Sequence, residues 1–452
     1  MDNNTRTLID ELLKRAEQEG FLESEVYYES DSSMTIAARE GQIIQFESSD
    51  SCGLSFRGLL NGQMGYAYTE DLQEDMIPFL LSQAKDNCGV LEVKEKITVY
   101  EGEKEYPEFN GYNDDLAKID YDFLSKTALD LEKALLAYDK RIEAVDDCYT
   151  SYSEGELYIK NSKGMLCESR ENCFDVYLGC RAKDGDDVQT AGKGWVFSDL
   201  SDFDPKKCTD YVGNKIISKL GAKPVPSEKT YVVLDRFAAN SLLASFAGAF
   251  SAEAIQKGLS RLVGKLGEKI ADEKITLIDE GMIEGSWLSI PFDSEGVSSK
   301  RTVLIDKGVF TSELHNRKTA LAAGVETTGN GFRAGAKTSI GVSSTNLHLA
   351  TGDFTKEQLI EKAGNGIFIT ALHGLHAGIN GISGEFSLMT EGFVIRDGKL
   401  AEPVNQITIA DNFYDVLMKV EALGNDVEYL SPEATHTQSP SLLIPDVSIA
   451  GE

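Results

Sequence analysis

Residues 5–19 place Leu8, Ile9, Leu12, Leu13 and Ala16 at three- and four-residue spacing, which predicts an amphipathic helix stopped by Gly20. From 26 to 68 the apolar period changes to two, with Met34, Ile36, Ile43, Phe46, Leu54, Phe56, Met64, Tyr66 and Tyr68 in short runs. Glu40-Gly41, Gly53 and Asn61-Gly62 separate these runs. The pattern predicts an antiparallel meander, with Asn61-Gly62 its clearest hairpin. Thr69 is placed to cap a second helix through about Asn87, with Leu72, Met76, Leu80 and Ala84 on one face and Pro78 as a bend or restart. The first region, 1–100, reads α-β-β-β-α.

The charged stretch 92–112, with Pro107, predicts a connector. A helix follows at about 115–139, carrying Leu116, Ile119, Phe123, Leu124, Leu131 and Leu135, and strands return over 142–197 around the turn at Asn161–Gly164. A helix near 206–220 closes a middle region, 110–223, before Pro224 and Pro226. The remainder, 228–452, opens on a buried strand at 231–235. Residues 237–250 are small or apolar on nearly all sides, which predicts a helix buried on most of its surface. Strands pair across Asp306–Gly308 and Asp397-Gly398, Thr355 with Gln358 forms a capping box, and a last helix spans 412–423. The whole predicts an α+β fold with mainly antiparallel sheets and flanking helices, its C-terminal region large and β-rich.

Composition narrows the function classes. The 452-residue chain has 74 acidic and 44 basic residues and a net charge of −30, the reverse of the basic stripe that nucleic-acid binding draws on. The N-terminus has no apolar signal core and no window reaches 18 apolar residues, so neither export nor membrane insertion is expected, and a cytoplasmic location is. Seven cysteines form no C-x-x-C pair and read as reduced packing thiols.

Candidate chemistry concentrates in 371–395, where His373 and His376 precede a glycine-rich run holding Asn380, Ser383 and Glu385. Two imidazoles three apart could share a metal on a helix. Gly374, Gly378, Gly381 and Gly384 argue against a helix, and a strand would send the two rings to opposite faces. A metal site would need Glu385 to complete it. Ser383 lacks the glycine that a nucleophile elbow requires two residues later. Gly329–Gly335, with Asn330 and Arg333, is neither a P-loop nor a dinucleotide fingerprint. It reads as a turn that is either structural or offers backbone N–H groups to a bound chain.

The run Asn330–Gly335, then LHGLHAGINGISGEFSLMTEGFVIRDGKLAEPV, ITIADNFYDVLMKVEALGND and DVSIAG resembles the TldD/PmbA family, long labelled a modulator of DNA gyrase. AAREGQIIQFESSDSCGLSFRGLLNGQMGYAYTEDL extends the resemblance into the first region. TldD-type chains of that family carry His-Glu-x-x-x-His on a C-terminal helix, plus a late cysteine, and bind a catalytic metal. In such a motif the histidines ligate zinc and the glutamate activates its water. The matching stretch here is LLASFAGAF, with Ala244 and Ala249 at the histidine positions and Ser245 at the glutamate; SPEATHTQSPSLLIP holds no cysteine. The resemblance therefore implies the PmbA/TldE branch, the non-metal half of a heterodimeric metallopeptidase acting on flexible peptides. It implies no catalytic residue or metal in this chain, zinc in a TldD-like paralogue, and a heterodimer or self-dimer. Asn330, Arg333, His373, His376, Asn380 and Glu385 are its candidate peptide or interface residues. A self-sufficient hydrolase built on His373, His376 and Glu385, and a non-catalytic peptide-binding protein, stand as alternatives.

Overall fold

The computed structural model describes residues 1–90 and 98–452; the start of the connector expected over 92–112 lies outside the described residues. Helix α1 (Asn3–Gln18) leads into β1 (Glu23–Arg39), β2 (Gln42–Leu60), β3 (Gln63–Thr69) and helix α2 (Met76–Val90). Both predicted hairpin turns form, with positive φ at Glu40 and Gly41 (53° and 71°) and at Asn61 and Gly62 (53° and 81°). Two consecutive positive values suit the right-handed twist of the flanking strands. Gly53, expected at a turn, instead lies inside β2 opposite Glu29. A side chain there would stand 3.0 Å from Ala336 Cβ and from the Tyr68 ring, so close packing rather than a turn explains the glycine. Thr69 does not cap α2. Its hydroxyl accepts the Asp71 N–H at 3.0 Å. The helix opens only at Met76, which puts Pro78 in the first turn, where its missing N–H costs nothing.

The middle region gives α3 (Tyr121–Leu136), β4 (Ile142–Asn161), β5 (Leu166–Asp184), β6 (Asp187–Phe197) and α4 (Pro205–Ser218). The single helix expected over 115–139 is interrupted: a 3-10 turn at Leu116–Lys118 ends at extended Ile119, and Asp120 then caps α3 through the Phe123 N–H at 2.9 Å. β1 pairs with β4 from Glu25 to Ala37. The two meanders thereby fuse into one antiparallel sheet, ordered β3-β2-β1-β4-β5-β6.

The C-terminal region holds β7 (Glu228–Leu234), α5 (Arg236–Phe246), α6 (Ala252–Gln256), β8 (Leu277–Glu280), β9 (Arg301–Asp306), β10 (Val309–Phe310), α7 (Arg317–Ala323), β11 (Gly331–Phe332), β12 (Gly341–Val342) and β13 (Leu347–Leu349). It continues through α8 (Lys356–Ala363), β14 (Gly366–His373), β15 (Glu385–Arg396), β16 (Lys399–Asn412), α9 (Phe413–Lys419), β17 (Ala422–Leu423), β18 (Thr437–Gln438) and β19 (Leu442–Ala450). The Thr355–Gln358 capping box forms on α8. The helix expected over 412–423 is shorter because Val420 turns extended and Ala422 joins a strand. Strands run β16-β15-β14-β7-β19, and β16 pairs again with β19 at Thr408–Ala410, so this sheet closes on itself. Closure removes most of its free edge. Inside, Val232, Leu242, Phe246, Ile369, Ile409 and Phe413 belong to one continuous core, with the Phe246 and Phe413 rings stacked at 4.5 Å. The fold is α+β and mainly antiparallel; β7–β14 and β13–β18 are its parallel strand pairs.

Candidate functional site

Helix α5 opens the stretch, 237–250, that is expected to stand in place of a metal motif. Asp235 caps it by accepting the Phe237 N–H at 2.9 Å. Ala238, Ala239, Leu242, Leu243 and Phe246 form one buried face. The opposite side is open: Ala244 and Gly248 are exposed, and nothing lies within 4 Å of where a Gly248 Cβ would stand. The expectation of burial on nearly all sides is therefore corrected, because small residues here mark an uncovered face as well as a packed one. Ser241 and Ser245 donate back to the Phe237 and Ser241 carbonyls at 2.8 Å, which satisfies both hydroxyls within the helix. After Phe246 the chain tightens into a 3-10 turn, Ala247–Phe250, so the helix expected over 237–250 is α-helical only to 246. Ala249 is buried in that turn, and its carbonyl accepts from Ser260 Oγ at 2.7 Å. Ala244 and Ala249 thus stand in different environments, one in solvent and one in the core. Two methyl groups and an internally satisfied hydroxyl do not fit a zinc centre.

The late stretch that lacks the cysteine packs against this same helix. Asn240 Nδ2 donates to Thr435 Oγ1 at 2.9 Å, and Arg236 pairs with Glu428 and Glu433, each at 2.9 Å. Glu433 also accepts from Trp195 Nε1 at 3.2 Å, and the Val196 N–H donates to Pro432 O at 2.9 Å, which ties the loop to β6. Lys193 lies over the Phe237 ring at 3.8 Å; burial outweighs the pull of Glu433 and lowers its pKa to about 8. Sequence reading missed Arg236, Lys193 and Glu433. Arg236 and Glu433 are 197 residues apart, and no local pattern announces such a pairing.

His373, His376 and Glu385 do not converge. His373 ends β14, and its Nε2 stands 3.6 Å from Glu391 Oε2. His376 is exposed in the following turn, and Glu385 accepts from Ser383 Oγ at 3.2 Å. Asn380 organises that turn, its Oδ1 accepting the Ile382 and Ser383 N–H groups at 3.1 and 3.0 Å. The structure does not bring these three residues together as the metal site expected of the self-sufficient alternative. Among the described residues, no three His, Cys, Asp or Glu side chains are grouped to hold a metal ion.

The other glycine-rich turn is internal. Asn330 is 1% exposed; its Nδ2 donates to Asp279 Oδ2 at 2.7 Å and to Ser343 O at 2.9 Å. Burial pushes the Asp279 carboxyl up to about 6 against the opposing bonds from Asn330 and Thr345. The Gly331 N–H donates to Asp293 Oδ2 at 2.8 Å, the Arg333 N–H to Ser294 Oγ at 3.2 Å, and the Ala334 N–H to Thr338 Oγ1 at 3.0 Å. These backbone donors are taken by the protein itself. Arg333 reaches across to the first sheet, with its guanidinium 4.8 Å from the Tyr27 ring centroid and Nη1 donating to Ser55 Oγ at 3.1 Å.

Comparison with known proteins agrees with this architecture. Profiles of the PmbA/TldA metallopeptidase family match its domain 1 over residues 24–87, its central domain over 114–220 and its C-terminal domain over 227–451. Metalloprotease PmbA of Escherichia coli O157:H7 is 26% identical, with 95% of this chain and 92% of that protein covered. A Thermotoga maritima crystal structure, named as a candidate modulator of a DNA gyrase, superimposes with a TM-score of 0.90 at 29% identity, covering 98% of this chain and all of that one. TldE from Thermococcus kodakarensis shares the fold with a TM-score of 0.87 at 23% identity, over 98% of this chain and 100% of that one. With all three domain profiles matched in order along the chain, this protein belongs to the PmbA/TldA metallopeptidase family.

Proposed function

We propose that this chain is the PmbA/TldE-type subunit of a TldD–TldE-type metallopeptidase that processes flexible peptides, with the metal, expected to be zinc, held by a TldD-like paralogue. The observation that supports this reading is that Ala244 and Ser245 on α5 and buried Ala249 in the turn after it offer no imidazole or carboxylate where the resemblance aligns a metal motif. A subunit so built contributes shape and contacts to a shared peptide-binding space while its partner contributes the Lewis acid. A cytoplasmic location goes with this reading: among the described residues, no helix is long and apolar enough to cross a membrane. An influence on DNA gyrase would be indirect, since a net charge of −30 opposes DNA contact.

The test is reconstitution. The chain expressed alone is expected to leave an unstructured peptide intact and to carry no stoichiometric zinc. Mixed with a TldD-like chain whose His-Glu-x-x-x-His is intact, it is expected to form a complex that cleaves the peptide until a chelator is added. Chelator-sensitive cleavage by the highly purified single chain would overturn the proposal, as would a self-dimer that refuses the paralogue.

A further inference from the structure

The face of the first sheet turned away from α1 and α2 is polar where it meets the C-terminal region. Register sets Glu25 on β1 opposite Arg57 on β2, and Arg57 opposite Tyr66 on β3, in one row. Their strand neighbours Val26 and Phe56 point the other way, into the core shared with the two helices. Glu25 and Arg57 are buried, and Arg57 Nε stands 2.8 Å from Glu25 Oε1.

A cavity of about 560 Å³ opens over Arg57 and Tyr66, with α6, α7 and the turn at Ser339 and Ile340 as its other wall. Glu295 shares that cavity with Arg57; the two side chains are 3% and 4% exposed. Glu295 Oε2 accepts the Arg317 N–H at 2.8 Å, while its Oε1 takes no hydrogen bond among the described residues. Arg57 Nη2 is buried and also has no hydrogen-bond partner among the described residues. The two charges attract each other, yet they stand too far apart to form an ion pair. The other buried polar side chains of the wall are used within the fold. Asn316 Oδ1 accepts the Thr319 N–H at 2.8 Å, and Thr319 Oγ1 donates to Asn316 O at 3.2 Å. A buried donor and a buried acceptor left open on one cavity are costly unless something completes them.

Charge decides what that group is. Each cation on the wall is already engaged: Arg57 by Glu25, Lys257 by Glu253 at 2.6 Å, and Lys318 as well. An anionic ligand would gain Arg57 but meet Glu295 and Glu253. A cationic one would gain Glu295 but meet Arg57. A neutral group that accepts from Arg57 and donates to Glu295 avoids both penalties. A primary carboxamide has that form, because its carbonyl oxygen and its syn N–H lie on one edge. A trans secondary amide, such as a peptide bond, sends them to opposite edges. Met64, Ala322 and Ile340 add apolar wall for the body of the ligand, and the volume suits a small molecule.

We propose that this cavity binds a small molecule through a primary carboxamide, whose oxygen accepts from Arg57 and whose N–H donates to Glu295. The assignment stands on the cavity alone and does not depend on the subunit reading, so either can fail without the other.

Ligand-observed NMR titration of the full chain with nicotinamide, nicotinic acid, 3-(aminomethyl)pyridine and N-methylnicotinamide tests it. The four probes share one ring and differ at the head group. Nicotinamide is expected to bind, and each of the others at least about tenfold more weakly, since each leaves Arg57 or Glu295 uncompleted or faced by like charge. Ala322→Trp, on an exposed position of α7, should fill the cavity and abolish binding with the unfolding midpoint unmoved. Glu295→Gln turns an acceptor into a donor at the cavity and should make nicotinic acid the tighter ligand. No binding of nicotinamide up to millimolar concentration would overturn the proposal, as would an acid, amine or N-methyl amide that binds as tightly. A folded Ala322→Trp with unchanged affinity, or a folded Glu295→Gln that keeps the original order of ligands, would do the same. The head-group comparison needs no variant, so a poorly folding substitution does not shelter it.

Discussion

The two glycine-rich segments, 329–335 and 374–384, hold similar residues and end in opposite environments. In the first, Asn330 is buried against Asp279 and Arg333 crosses to Tyr27 and Ser55 of the first sheet. In the second, His376 and Asn380 are exposed; the Asn380 side chain holds the turn, and only its far end is tied down, where Asn412 Nδ2 donates to Ser383 O at 2.9 Å. Glycines and polar side chains set the turn in both cases. What differs is whether a distant element arrives to cover it, and the covering groups are tens to hundreds of residues away. One segment is a joint between layers and the other a free surface, which predicts a graded response to substitution.

The largest effect belongs to Asn330→Ala. It strips a buried carboxylate of one donor and leaves Ser343 O and Thr328 Oγ1 each without a partner it now has, costing about 3 kcal/mol. The pH dependence sharpens this. Asp279 is raised from near 3.8 to about 6 in the folded chain, so the folded state keeps a proton that the unfolded state has released. Stability therefore falls as pH rises through that interval and levels off above it. Without the Asn330 donor the pKa climbs further and the decline continues, so the stability gap should be wider at about pH 8 than at about pH 5 in urea unfolding. A constant gap would mean that Asn330 does not favour the ionised form. Arg333→Ala should cost less, about 1–2 kcal/mol, because it loses two hydrogen bonds from one Nη1, to Ser55 Oγ at 3.1 Å and to Thr338 O at 3.4 Å, and one ring contact, while removing a buried Nε that has no partner among the described residues. Lys at 333 should not restore the loss in thermal unfolding, since an ammonium lacks the planar fork.

Much of the fold was legible because it is local. Period-two runs, the Asn-Gly and Glu-Gly turns and the Thr355–Gln358 box each depend on residues within a few positions of one another. The failures share one cause. Gly53 reads as a turn until Ala336, far along the chain, is seen against it. A helix of alanines and serines reads as core, although one side of α5 is bare. That Ala244, Ser245 and Ala249 carry neither imidazole nor carboxylate is a matter of residue type alone. The Arg236–Glu433 pairing beside them was not legible, because a contact between segments 197 residues apart leaves no local pattern in a single sequence.

The smallest effects test the free-surface half of the comparison. Asn380→Ala removes an acceptor for two turn amides and should cost about 1 kcal/mol, read as a modest drop in unfolding midpoint. His376→Ala touches nothing buried and should change stability by less than about 0.5 kcal/mol. Its value lies in pairing that neutrality with function. If the exposed turn meets peptide or partner, His376→Ala should leave the unfolding midpoint unmoved while weakening peptide cleavage by the reconstituted pair. A midpoint that falls as far as that of Asn330→Ala would erase the distinction between the two segments, because it would mean that this turn too is covered in the working protein.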